Sequence, residues 1–371
     1  TIANFRKDNG KSIRNVCRQF VVLCQQLSFF TEALVAIDGS KFKAVNNRDR
    51  NFTSAKLQRR MEEIESSINR YLTELDTADR QEPAVAQARS ERLQDKIATL
   101  KAQMKELQAI EVQLNATPDK QISLTDPDAR SMKTRGTGIV GYNVQTAVDA
   151  KHHLIVAHEV TNIGIDRDQL SSMAKSARAA MGVADLTVIA DRGYFKGEEI
   201  LACHEAGIHA IVPKTTTSGA KAAGRFDRAD FIYDAEKNEY CCPAGDHLIW
   251  RYASRQDGLL QNRYWSSNCQ RCAIKEKCTP STKRRITRWE HEGVLMAMQN
   301  RLDHAPDSMR IRRQTVEHPF GTLKLWMGSA HFLTRTLDRV STEMGLHVLA
   351  YNLKRVMKIL GNESLMEAMR A

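Results

Sequence analysis

No run of this chain approaches the roughly 20 apolar residues that a membrane-spanning helix requires. Its opening residues, Thr1-Ile-Ala-Asn-Phe, show neither an initiator methionine nor the layout of a secretory signal. A cytoplasmic protein is the expectation, with no membrane partner. Because residues 11–33 already read as an amphipathic helix, the chain is also expected to begin inside a larger protein. Cysteine is sparse: eight among 371 residues argue against a disulfide scaffold and leave free thiols plus at most one metal site. Acidic residues are outnumbered, 44 against 55 Lys and Arg, giving a formal charge of +11. That surplus suits a polyanion, and nucleic acid is the leading partner class. The length admits one large domain with insertions or two to three modules.

The hydrophobic pattern organises what is present. In 11–33, Ile13, Val16, Phe20, Leu23 and Leu27 recur at near-helical spacing, and a short strand then runs to Asp38. Two heptad runs follow in a Lys-, Glu-, Gln- and Leu-rich stretch, Leu57 to Leu75 and Leu93 to Leu107, with a turn expected at 76–83. They read as an antiparallel helical hairpin over 54–115, serving as a spacer or dimerisation arm. Strands are expected at 139–149 and 154–160, a helix at 168–181, a strand at 186–190, a helix at 198–206 and a strand at 208–212. This alternation predicts an α/β layer with helices over a mixed sheet. Residues 214–282 hold scattered aromatics and most remaining cysteines and read as a small separate module. From about 284 onward helices are expected, the last near 335–360 covering the sheet with Val340, Met344, Val348 and Tyr351.

Three carboxylates stand at the edges of these elements. Asp38 follows Leu34-Val35-Ala36-Ile37, Asp191 follows Val188-Ile189-Ala190, and Glu317 lies in a helical stretch near the C-terminus. Two strand-end aspartates and a helix glutamate supply the oxygen ligands that hard divalent cations take. Asp149, also at a strand end, is the rival first carboxylate. Each aspartate has a plainer reading as a turn or cap former.

The segments Ile37-Asp38-Gly39-Ser40-Lys41, Gly141-Tyr142-Asn143-Val144-Gln145-Thr-Ala-Val-Asp149, Ala190-Asp191-Arg-Gly193-Tyr194-Phe195 and Arg313-Gln-Thr-Val-Glu317-His-Pro-Phe-Gly321-Thr-Leu-Lys324 together resemble the DDE transposases of bacterial insertion sequences. The resemblance implies a ribonuclease H-like core made of 34–53, 116–213 and 283–371. It makes 1–33 the end of an N-terminal helical region, and 54–115 and the cysteine-bearing 214–282 insertions. It further implies Asp38, Asp191 and Glu317 as catalytic residues holding two Mg²⁺ ions, with Mn²⁺ as a substitute, that cleave element ends and transfer strands into target DNA. Action as a homodimer or larger assembly on DNA, near the bacterial nucleoid, goes with it. A related nuclease without joining activity and a decayed DNA-binding protein are the alternatives.

Around Glu317, Arg310, Arg313 and Lys324 lie on one face of a continuous helix. With Lys41 they form the expected DNA-binding set, as phosphate contacts that position the duplex. Arg310 stands where the family pattern has tyrosine, and Pro319 is expected to kink or restart the helix. His318 and His331 read as packing or capping residues. Asn143 and Gln145 are expected near the scissile strand or in structural hydrogen bonds. Cys242, Cys269, Cys272 and Cys278 have a spacing compatible with structural Zn²⁺, with Cys241 competing for the first place, while Cys17, Cys24 and Cys203 read as small core residues. Trp250, Tyr252, Tyr264 and Trp265 with Arg251, Arg255 and Arg263 suit either DNA stacking or internal packing.

Overall fold

The computed structural model describes the chain except for residues 1, 79–82, 135, 137, 216–218 and 371. The fold is mixed α/β, centred on a six-stranded mixed sheet. Strand Leu34–Lys43 lies between Ile139–Asp149, antiparallel on one edge, and Leu186–Ala190, parallel on the other. Ile208–Ile211 continues the parallel side, while Arg130–Met132 and Ile155–Thr161 share the far edge of Ile139–Asp149. Flanked on both sides, the first strand reads as a continuous apolar run, with Val35, Ala36 and Ile37 wholly buried.

That strand does not end at Asp38, as its apolar run suggested. Its antiparallel partner accompanies it to the Lys43–Gly141 pair, whereas the parallel partner stops at Ala190, opposite Ile37. Asp38 is therefore an interior strand residue at the point where one neighbour falls away. The close approach depends on Gly141, where a Cβ would run into the Phe42 carbonyl.

Helices cover both faces of the sheet. On one side Val35, Ile37, Ala147 and Val188 meet Phe20, Val21, Met173, Ala177 and Cys203 from helices Gly10–Gln26, Leu170–Met181 and Gly197–Glu205. On the other, Tyr142, Val144 and Val148 cluster with Val340, Met344, Val348 and Tyr351 of helix Leu337–Leu360. The N-terminal helix is shorter than expected. It ends at Gln26 because Ser28 and Ala33 take positive φ of 59° and 45°, and Phe29 and Phe30 turn into the core. Its buried face is Ile13, Cys17, Phe20, Val21 and Cys24, while Val16 is exposed. Cys203 is buried too.

After the first strand, Asn51–Thr53 pairs with Gln121–Ser123, so the chain leaves and returns at one place. Between them run helices Ser54–Ala78 and Pro83–Ala116, their seam burying Leu57, Ile64, Leu107 and Leu114. Of the turn expected at 76–83, residues 79–82 lie outside the described residues.

A second, five-stranded antiparallel sheet spans residues 232–289 around Phe231, Tyr240, Leu248, Tyr264 and Ile286. Its last strand, Ile286–Trp289, occupies a stretch expected to be helical and carries this sheet past residue 282. Pairing with strand Leu259–Trp265 gives the reason, helped by the β-branched Ile286 and Thr287 and the aromatic Trp289. Helix begins only at Glu292.

Gly141→Ala is expected to lower stability by about 1–3 kcal/mol, read from urea unfolding, because the atom it meets is backbone and cannot rotate away. A variant as stable as the parent would contradict this strand pairing.

Candidate active site

Asp38 and Asp191 are brought side by side by the register of their strands, since Ile37 pairs with Ala190 and each aspartate is the next residue. Between them lies Arg312, absent from the residues singled out in the sequence. Its Nη2 is 2.6 Å from Asp38 Oδ1 and 3.5 Å from Asp191 Oδ2. Each aspartate also serves its own turn. Gly39 N–H donates to Asp38 Oδ1 at 2.9 Å, and Gly193 N–H to Asp191 Oδ1 at 2.8 Å, capping the turn Arg192–Tyr194. The capping reading and the site reading thus hold together, because different oxygens of Asp191 do the two jobs.

Burial pushes the Asp38 carboxyl up to about 6; the neighbouring Asp191 adds to the rise and Arg312 opposes it. One guanidinium does not offset the desolvation of a carboxylate set beside another.

Glu317 lies on helix Ser308–Gly321 and is exposed. With Asp38, Ser40, Phe320 and Lys324 it lines an open cleft of about 400 Å³. The helix does not restart at Pro319; it passes through to Gly321 and continues as a π-turn, Thr322–Trp326. The Thr315 carbonyl, which Pro319 leaves without its helical donor, is approached by His153 instead. His318 helps fix the helix. The Tyr351 hydroxyl donates to the His153 carbonyl at 2.7 Å and accepts from His318 Nδ1 at 2.8 Å, while the His153 and His318 rings stack with centroids 5.3 Å apart.

Of the expected DNA contacts, Lys324 is the most committed. Its ammonium donates to Ser40 Oγ at 2.6 Å and to the Lys41 carbonyl at 2.9 Å, and lies 4.5 Å from the Phe42 ring. Burial holds it below the usual lysine range. Arg310 pairs with Asp307, both exposed, and Arg313 is exposed.

Strand alternation places Lys41 on the face opposite Asp38. There it pairs with Asp166 at 3.1 Å, and Asn143 and Gln145 each donate to Asp166 Oδ1 at 2.7 Å. Gln145 in turn accepts from the Tyr194 hydroxyl. Asn143 and Gln145 are thus structural at this point. Asp166, like Arg312, escaped the sequence reading, since it sits in a loop with no periodic pattern. Gly39 is required by this network, because a Cβ there would lie 2.6 Å from Asp166 Oδ1.

Asp149 is not brought to the cleft. It pairs with Val35, three positions before Asp38, and is buried in the following turn, where it accepts from His152 N–H at 2.6 Å. Cys242, Cys269, Cys272 and Cys278 all line one cavity of about 580 Å³, which Cys241 does not. Among the described residues, however, no three His, Cys, Asp or Glu side chains are close enough together to hold one metal ion. That applies to these cysteines and to the three carboxylates as they stand. Tyr264 is buried against Tyr240, while Trp250 and Tyr252 remain half exposed.

The family described as Transposase DDE domain matches residues 105–353. That span includes Asp191 and Glu317; Asp38 precedes it and is set beside Asp191 by the sheet and across the cleft from Glu317. No curated protein matches the chain. Among solved structures, a piggyBac transposase synaptic complex with hairpin DNA is similar over 60% of this chain and 44% of that chain, at 9% identity and a TM-score of 0.24. The chain spans less than half of that protein's length, and a likeness of this size establishes no shared architecture.

Folding raises the Asp38 carboxyl from its ordinary 3.8 to about 6, so the native state binds this proton more tightly than the unfolded chain. The group favours folding at low pH, and that contribution is lost as pH rises through the window between those values. Asp38→Asn is therefore expected to be more stable than the parent by about 1–2 kcal/mol at neutral pH, and no more stable in acid below both values. Urea unfolding at the two pH values checks this; a difference independent of pH would contradict it.

Proposed function

The chain belongs to the transposase DDE domain family, and from that membership we propose that it is a DNA transposase of a bacterial insertion sequence. The observation that carries this reading is the convergence of Asp38 and Asp191 on a single cation, with Asp38 sharing an open cleft with Glu317. In the first step water attacks the scissile phosphorus at the element's end and the P–O3′ bond breaks, leaving a 3′-hydroxyl. In the second that hydroxyl attacks a target phosphodiester, forming a new P–O3′ bond and releasing a target 3′-hydroxyl.

DDE transposases use divalent metal ions. The donors here fit such an ion: they are carboxylate oxygens, which hard cations prefer, and two of them already draw a positive group between them. Asp38, Asp191 and Glu317 would hold two Mg²⁺ ions, with Mn²⁺ as a substitute, which when bound supply Lewis-acid stabilisation of the entering and leaving oxygens. Lys324, pinned to the Asp38 strand, keeps a positive charge in the cleft where a phosphate would lie, and Arg313 stands one helical turn before Glu317. Cys242, Cys269, Cys272 and Cys278 line one cavity in the second sheet's module, but among the described residues their positions do not form a zinc site.

The sheet supports a ribonuclease H-like core. Its first strand is central, with an antiparallel meander on one side and two parallel strands on the other. The helical hairpin at 54–115 and the cysteine-bearing segment from 214 would then be insertions. Paired element ends call for a homodimer or larger assembly. Among the described residues no helix is long and apolar enough to cross a membrane; action on DNA in the bacterial cytoplasm fits that.

A basic cleft favours DNA as the partner. Arg6, Lys7, Arg335 and Arg339 line a cavity of about 440 Å³. Its one carboxylate, Glu343, is spent on the Leu333 and Thr334 amides and the Thr334 hydroxyl. The loop bearing Leu333, Thr334 and Arg335 abuts the end of the Asp38 strand, where His331 bridges Lys43.

Two outcomes are expected. Asp191→Asn is to reduce both metal-dependent nicking and the joining of pre-cleaved ends by about a hundredfold or more. Nicking without joining in the parent would leave a nuclease, and DNA binding with neither would leave a binding protein. Neutralising the four basic residues of the cleft is to flatten the slope of log K against log salt by about 0.9 for each phosphate that the cleft no longer neutralises. An unchanged slope would remove this cleft from the DNA path.

A further inference from the structure

Arg312 enters the site from the same helix as Glu317. Its guanidinium sits between Asp38 and Asp191 at 2.6 and 3.5 Å, and its side chain is only 16% exposed. Yet its buried Nε finds no acceptor. An arginine built in to lock an interior has its donors satisfied, because an unpaired buried N–H is costly. The charge is equally incomplete, one positive against two carboxylates. No neighbouring cation is paired with the two carboxylates in its place: Lys41 is paired with Asp166 on the other face of the sheet, and Lys324, whose charge Asp38 feels across the cleft, donates to Ser40 and the Lys41 carbonyl.

The carboxylates, by contrast, are fixed. Asp38 lies in its strand and Asp191 directly follows the adjacent parallel one, in set register, so the gap between them persists whichever cation fills it. Arg312 reaches that gap on a long side chain, which rotates more readily than the sheet deforms.

We propose that Arg312 is a tethered stand-in for a divalent cation: it partly neutralises the Asp38–Asp191 pair in the metal-free protein and is displaced when an ion loads. This rests on the reading of Asp38 and Asp191 as metal-holding residues. Arg312 is then a positioning residue, which offsets the repulsion between two carboxylates that the sheet holds together and sets a threshold for metal entry. Removing its charge leaves the pair without a competitor, and the geometry of the sheet is retained.

The test is a Mn²⁺ titration of the DNA-free protein, following the free ion by electron paramagnetic resonance. Arg312→Gln is expected to bind Mn²⁺ about tenfold or more tightly than the parent, and Arg312→Lys, which keeps the charge, to stay near the parent. If Arg312→Gln melts cooperatively and binds no more tightly, the proposal is overturned. Asp38→Asn separates it from the reading beneath it. Loss of Mn²⁺ binding in that variant upholds the metal-holding pair even where Arg312→Gln changes nothing, whereas undiminished binding sinks both. Should Arg312→Gln fail to fold, parent protein labelled with ¹⁵N-arginine decides. The Nε–H signal that Arg312→Lys lacks must move on Mg²⁺ addition, and a signal unmoved at saturation overturns the proposal.

Discussion

Two carboxylates held side by side in a partly desolvated cleft demand a positive charge, and the molecule is arranged around that demand. The demand is set by strand register. Once Ile37 lies opposite Ala190, Asp38 and Asp191 are neighbours whatever the loops between them do. The intervening chain is long, but it enters and leaves through short paired strands and helices packed on the sheet, so its length does not loosen the pair. Arg312 meets the demand in part, and burial keeps the Asp38 carboxyl well above its ordinary range even so. Such a site is held at some expense of stability, which the two hydrophobic clusters on either face of the sheet offset.

The third carboxylate arrives by a different route. Its helix is fastened to the sheet at several points: His318 through Tyr351 to the turn at His153, Lys324 to Ser40 and the Lys41 carbonyl, and Phe320 and Leu323 in the cluster beneath. Pro319 does not disturb this, because its buried ring packs and the carbonyl it abandons is approached by His153. Glu317 itself remains exposed on the rim of the cleft. A rigid aspartate pair and a more open glutamate suit a site that must admit both an ion and a nucleic-acid backbone.

Much of this was legible in the sequence, and what was not has physical reasons. The apolar runs before Asp38 and Asp191 and the heptad stripes at Leu57 and Leu107 carry periodic signals that packing enforces. The far limit of the first strand was not legible, because residues 39–43 are largely polar or small and owe their strand geometry to pairing with Ile139–Asp149. Val16 looked like a core position by spacing but is exposed, while Ile13 and Phe20 stay buried and Val21 joins Cys17 and Cys24, already read as core residues, on that face. Arg312 was hidden among adjacent arginines, where only the orientation of the helix distinguishes the one turned inward. Asp166 lies in a loop and gains its partners solely from the fold. Asp149 shared every local feature of a strand-end carboxylate; its place three residues back along the first strand is what separates it from Asp191.

The central claim is that Asp38, Asp191 and Glu317 form one cation-holding centre. Anomalous diffraction from crystals equilibrated with Mn²⁺ tests it most directly. The account predicts a peak bonded to oxygens of Asp38 and Asp191, with the Glu317 carboxylate closing on it from the cleft. A protein that binds Mn²⁺ at another place, while these three side chains stay as they are, would contradict it.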